Sequence, residues 1–173
     1  MNDRPRILHL EDDPSDAQLV AGLVEQEGLE VELRWVDGRA QFESALAEPW
    51  DLILADFALP GVTHLEALEL AQARQPGTPF IYLSGTFGEE MAVAALQHGA
   101  TDYLLKERLD RLGSAVNRAL QISKNRIEAA ALEQALRDSE ERYKQLVETA
   151  PDAIFIEYDG RFDYLNPDQK SVV

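Results

Sequence analysis

The sequence predicts an α/β fold: a doubly wound, five-stranded parallel sheet with helices on both faces and a long helix after it. Short apolar runs recur with turn signals around them, at Ile7-Leu8-His9-Leu10, Val31 to Val36, Leu52-Ile53-Leu54-Ala55, Phe80-Ile81-Tyr82-Leu83 and Tyr103-Leu104-Leu105. Between them the apolar residues return at helical spacing. Alternation of strand and helix in this order specifies a parallel sheet covered on both sides.

The first run leads into HLEDDPSDAQL, where Glu11, Asp12 and Asp13 stand side by side. Adjacent carboxylates repel, and a fold tolerates them where water, a helix terminus or a cation compensates. Asp13 before Pro14 fits an N-cap with proline at the first helical position, and Asp16 falls in the first turn. Glu11 and Asp12 are left for a cation. Leu19, Val20, Leu23 and Val24 are expected on one face of the helix that follows. After the second run, Phe42, Ala45 and Leu46 form the next helical face. The runs at 52–55 and 80–83 barely alternate, as in strands buried on both sides. Leu65, Leu68 and Ala71 mark the helix between them, and Met91, Ala94 and Ala95 the helix before the fifth run.

Residues 108–149 hold no proline and a single glycine, Gly113, and are rich in good helix formers. Ile122, Asn125, Ala129, Leu132, Leu136, Ser139, Tyr143 and Leu146 are spaced alternately by three and four, as in a coiled-coil seam. The spacing favours a parallel homodimer through residues 120–149; the alternative is one amphipathic helix lying on its own domain. Past Ala150-Pro151, Ala153 to Tyr158 reads as a strand, Asp159-Gly160 as a tight turn and Arg161 to Leu165 as the return strand. The expected organisation is a sheet domain over 1–120, a helical linker over 121–149 and a hairpin fragment over 150–173.

The 173 residues carry a net charge of -16, which speaks against binding nucleic acid, and their 45% hydrophobic content suits a globular chain. There is no cysteine, so disulfides are excluded and the cytoplasm is the expected compartment. No apolar stretch approaches the ~20 residues that span a bilayer, and MNDRPRI lacks the apolar core of a signal peptide. No membrane partner is expected.

In open parallel sheets, sites form beyond the carboxyl ends of the strands. Glu11 and Asp12 follow the first strand, Asp56 the third, Ser84 the fourth and Lys106 the fifth. Such oxygen ligands suit Mg²⁺. A carboxylate beside Mg²⁺ can attack phosphorus and become an acyl phosphate. That transfer needs positioning and charge neutralisation, which Lys106 and the cation would supply, with Ser84 donating to a phosphoryl oxygen. A solvated strand-end acid would explain Asp56 alone, but not all of these groups at successive strand ends.

With ILHLEDDP, DLILADFALPG, FIYLSG and GATDYLLK in place, residues 5–120 resemble the receiver domain of two-component response regulators. The resemblance implies a flavodoxin-like fold with Asp56 as phosphoacceptor and Glu11 and Asp12 as metal-binding acids. It further implies the main-chain carbonyl of Ala58 as a Mg²⁺ ligand, Ser84 and Tyr103 as the switch pair and Lys106 as the phosphate-contacting lysine. It implies a histidine kinase or phosphotransfer protein as partner, and no enzymatic activity beyond the domain's own phosphorylation and dephosphorylation. Three residues depart from the family pattern: Glu107 stands where proline usually follows the lysine through a cis bond, Ser84 replaces the commoner threonine, and His64, expected as a surface variant, replaces a frequent glycine. SEERYKQLVETAPDAIFIEYDGRFDYLN resembles the start of a PAS sensory domain, which implies a relay through the dimeric helix to a PAS or downstream output domain in a longer protein. The competing reading is a phospho-independent, dimerising scaffold for that PAS domain. A phosphatase with an Asp-x-Asp nucleophile is disfavoured because Asp56-Phe57-Ala58 lacks the second aspartate. A histidine kinase is disfavoured because His9, His64 and His98 all lie outside the long helix.

Overall fold

The structure, a computed structural model, describes residues 4–85, 88–149, 155–158 and 161–165. In chain order the elements are β1 (Arg6–Leu10), α1 (Pro14–Gln26), β2 (Glu32–Val36), α2 (Arg39–Ala45), β3 (Leu52–Asp56), α3 (His64–Arg74), β4 (Phe80–Ser84), α4 (Glu89–Gln97) and β5 (Asp102–Leu105). A 3₁₀ segment (Lys106–Arg111) leads into α5 (Leu112–Glu148), and a strand pair, β6 (Phe155–Tyr158) and β7 (Arg161–Leu165), follows. The expected runs all become strands. β1 to β5 form one parallel sheet in the order β2-β1-β3-β4-β5.

The weakly alternating runs at β3 and β4 are buried at every residue, because helices cover both faces there. On one face, Leu8, Ile53, Phe80 and Tyr82 pack with Phe42 of α2, Leu68 of α3 and Ala95 of α4. On the other, Ile7, Leu54, Ile81 and Leu104 pack with Val20 and Val24 of α1 and Leu112, Ala115, Val116 and Ala119 of α5. β2 is an edge strand and shows it, with Glu32, Arg34 and Trp35 exposed.

Two helices cover the sheet with narrower faces than their spacing suggests. In α1 the buried residues are Ala17, Val20 and Val24, and Leu19 is 50% exposed. In α4, Ala95 is buried whereas Met91, Val93 and Leu96 are exposed. α1 meets the sheet through Val20 and Val24, and α4 through Ala95. The helix expected from residue 108 begins as α5 only at Leu112, since the chain first passes through the 3₁₀ segment, whose Arg108 leaves helical geometry (φ -132°, ψ 50°).

The chain divides into two compact units, Met1–Arg126 and Ile127–Val173. The first contains the sheet and the start of α5, down to the buried Ser123. The second contains the rest of α5, on which Leu132, Leu136, Tyr143 and Leu146 are exposed, and the antiparallel pair β6–β7 with Tyr158 opposite Arg161. The expected strand start at Ala153-Ile154 and the turn at Asp159-Gly160 lie outside the described residues. No described helix is long and apolar enough to cross a membrane.

Candidate functional site

The order 2-1-3-4-5 changes direction between β1 and β3, where doubly wound sheets open a crevice at the strands' carboxyl ends. Glu11 sits directly beyond β1 and Asp56 is the last residue of β3; both are buried, and Asp12 beside them is exposed. Glu11, Asp12 and Asp56 each offer a carboxylate oxygen within 4.8 Å of the others. Asp13 has the separate role expected of it: it caps α1, its side chain accepting the Ser15 N–H at 2.7 Å, with Pro14 in the first turn.

Lys106 follows β5 and reaches across to the acids. Its Nζ lies 2.7 Å from Glu11, 2.6 Å from Asp16 and 3.4 Å from Asp56. Burial opposes the ammonium's charge, but the hydrogen bonds to Asp16 and Glu11 and the pull of Asp56 outweigh it and raise its pKa. The acids show the converse. Burial raises the pKa of Glu11 and of Asp56, and Lys106 offsets this only in part. The site therefore holds more negative charge than one lysine neutralises comfortably. An all-oxygen set of three carboxylates with unrelieved charge fits a hard divalent cation such as Mg²⁺.

Glu11 is also fixed through its backbone and side chain. Its N–H donates to the Val36 carbonyl at 3.0 Å, its own carbonyl accepts the Trp35 indole N–H at 2.7 Å, and its carboxylate accepts the Asp13 N–H at 3.2 Å. The backbone N–H groups of Phe57 and Ala58 favour the charged form of Asp56. Beyond them Leu59 bridges to Val62 around Pro60-Gly61, and Gly61 takes φ +77°, which a proline–glycine turn requires.

Ser84 ends β4, buried, one residue past the Leu83 that pairs with Asp56. Tyr103 is half-buried on β5, opposite Tyr82, with its ring edge-on to Phe57 at 5.6 Å. The structure thus brings Glu11, Asp12, Asp56 and Lys106 together, with Ser84 on the adjacent strand and Tyr103 set back against an aromatic cluster. His64 is not the surface variant expected. It is half-buried, stacks on Phe57 at 4.1 Å and lends its backbone carbonyl to the Tyr82 hydroxyl at 2.5 Å. Around Lys106 and Glu11, Asp16 and Trp35 escape the sequence reading. Asp16 is legible only as a first-turn acid, and Trp35 only as part of an apolar run. After Lys106 the described residues contain no cis peptide bond, and Glu107 belongs to the 3₁₀ segment.

The family model described as the response regulator receiver domain matches residues 7–117. The chain belongs to this family. Its receiver is similar to the nitrogen assimilation regulatory protein NtrX of Azorhizobium caulinodans, 37% identical over 132 residues, or 74% of this chain and 29% of that one. Among solved structures it is similar to the signal receiver domain of a putative LuxO repressor from Vibrio parahaemolyticus. The TM-score is 0.66 at 28% identity, over 73% of this chain and 97% of that one. NtrX from Brucella abortus matches with a TM-score of 0.64 at 30% identity, over 75% of this chain and 29% of that one. The chain spans less than a third of the length of either NtrX.

Proposed function

We propose that the receiver accepts a phosphoryl group on Asp56 from a histidine kinase or phosphotransfer protein and relays the change through a helical dimer. The observation that carries this reading is the Asp56 carboxylate at 3.4 Å from Lys106 Nζ and within 4.8 Å of Glu11 and Asp12 oxygens. In the transfer, an Asp56 oxygen bonds to phosphorus as the bond from phosphorus to the donor nitrogen breaks, and that nitrogen keeps the electron pair. Bound Mg²⁺, held by Glu11, Asp12, Asp56 and the Ala58 carbonyl, would neutralise phosphoryl charge. Lys106 neutralises a further oxygen. Ser84 donates its hydroxyl to another and, in moving, opens space for Tyr103 to turn inward.

Output would then travel from the receiver at 1–120 along the helix at 121–149 to a PAS domain that begins near 150. The exposed series Leu132, Leu136, Tyr143 and Leu146 supports pairing of that helix with a second copy. It supports equally a scaffold that dimerises without phosphorylation. Treatment with acetyl phosphate, or with beryllofluoride as mimic, in the presence and absence of Mg²⁺ separates the two. The expected result is Mg²⁺-dependent modification that Asp56→Asn abolishes, together with altered cross-linking between cysteines introduced along 122–146. Equal modification of Asp56→Asn removes Asp56 as acceptor. Unchanged cross-linking of fully modified protein leaves the scaffold.

A further inference from the structure

We propose that Asp16 is a positioning residue for Lys106: it offers the ammonium a second seat, so that a divalent cation can take Glu11 without leaving the lysine unpaired. The inference rests on the functional reading above, because it concerns the cation that reading places on Glu11, Asp12 and Asp56.

Lys106 Nζ divides itself between Asp16 at 2.6 Å and Glu11 at 2.7 Å, and Asp56 is farther off at 3.4 Å. The two near partners differ in their surroundings. The Glu11 side chain is 1% exposed and Asp16 37%, so Asp16 stands at the rim and Glu11 in the floor. Asp13 already caps the start of α1 and Pro14 occupies the first turn, so there Asp16 adds only its charge near the helix N-terminus. What Asp16 touches is a lysine ninety positions along the chain, beyond the last strand of the sheet.

An ammonium and a divalent cation compete for the same Glu11 carboxylate and repel each other across it. Without Asp16, arrival of the cation would leave a largely buried ammonium with only Asp56, itself engaged by the cation, and an underpaired buried charge is costly. Alternatively the lysine would keep Glu11 and hold the cation out. Both routes weaken cation binding. With Asp16 present, the lysine gives up Glu11, keeps one full ion pair and stays beside Asp56.

The contrasting account treats Asp16 as an ordinary rim acid. It would then favour a cation only by its own screened charge, whether or not the lysine is present.

The test is Mg²⁺ affinity of the unphosphorylated full chain. It is read by tryptophan fluorescence, since Trp35 donates to the Glu11 carbonyl, and checked by titration calorimetry. Five proteins are compared: wild type, Asp16→Asn, Asp16→Glu, Lys106→Met and the double variant Asp16→Asn/Lys106→Met. Asp16→Asn is expected to raise the Mg²⁺ dissociation constant by roughly tenfold, and Asp16→Glu to restore most of the loss. Lys106→Met is expected to bind Mg²⁺ more tightly than wild type. In that background Asp16→Asn should change affinity by no more than about twofold. An equal loss in both backgrounds, or an unchanged affinity of Asp16→Asn, overturns the proposal while leaving the functional reading intact. If wild type binds no Mg²⁺ at all, both fail. Asp16→Ser gives the same comparison should Asp16→Asn fold poorly.

Discussion

His9 lies fully buried on β1, and neither ring nitrogen has a hydrogen-bond partner. Desolvation first, and the nearby Lys106 second, push its pKa from 6.5 down to about 4. The folded chain thus holds His9 neutral where the unfolded chain would protonate it. Its contribution to stability is complete above pH 6.5 and is lost as pH falls towards 4. At ~1.4 kcal/mol per pH unit, His9 costs about 2 kcal/mol at pH 5. Urea unfolding at pH 7 and pH 5 should show that loss in wild type, and His9→Leu should lack it. Asp56 behaves in the opposite sense. Burial raises its pKa, so the native state favours the protonated form and stability declines as pH rises through the raised value. Asp56→Asn should therefore melt ~2–4 °C higher than wild type in chelator at pH 7, a gain of about 1 kcal/mol. Added Mg²⁺ should narrow the gap by raising the wild type. The acids and the lysine were legible because they stand at the carboxyl ends of β1, β3 and β5, and parallel topology alone brings strand ends together. The Asp16–Lys106 contact was not, because it depends on how far a flexible side chain reaches across a crevice.

At the scale of elements, strands were read closely because burial on both sides leaves an unbroken apolar run, as in Leu52 to Ala55. Helical faces were read too broadly. Leu19 and Val20 occupy one apolar stripe of α1 in the sequence, yet Leu19 is half-exposed and Val20 is 1% exposed. Spacing reports that a residue is apolar and near a face; it does not report how closely the helix approaches the sheet. Val20→Ala should accordingly cost about 2 kcal/mol, through lost burial and a residual cavity. Leu19→Ala should cost less than about 0.5 kcal/mol. Chemical denaturation of the two variants side by side checks the asymmetry, and equal losses would return Leu19 to the core face. The short 3₁₀ segment was also illegible. Lys106 to Arg111 carries no proline or glycine to mark a break, and its irregularity lies in the backbone of Arg108.

For the whole molecule, the contrast along α5 matters most. Down to Ser123 the helix is a member of the receiver core, and from Ile127 onward Ile127, Leu132, Leu136, Tyr143 and Leu146 are exposed while Val147 is buried. The dimer proposed for this segment predicts that residues 1–120 sediment as a monomer and the full chain as a dimer at micromolar concentration. A net charge of -16 works against association, so the dimer should tighten as salt rises from 0.05 to about 0.5 M. A monomeric full chain at high salt would remove the dimer. The six residues of the 3₁₀ segment add a further consequence, because Lys106 begins the same stretch that delivers the chain to α5. If the site signals through α5 as proposed, this six-residue segment is the joint that carries the change. One residue inserted between Arg108 and Leu112 would loosen the joint while α5 stays packed on the sheet, so Asp56 should still be modified but cross-linking along 122–146 should stop responding. One residue inserted after Arg126 would leave the joint unchanged and turn the exposed stripe by about 100°, so the response should persist with its pattern of reactive positions rotated around the helix.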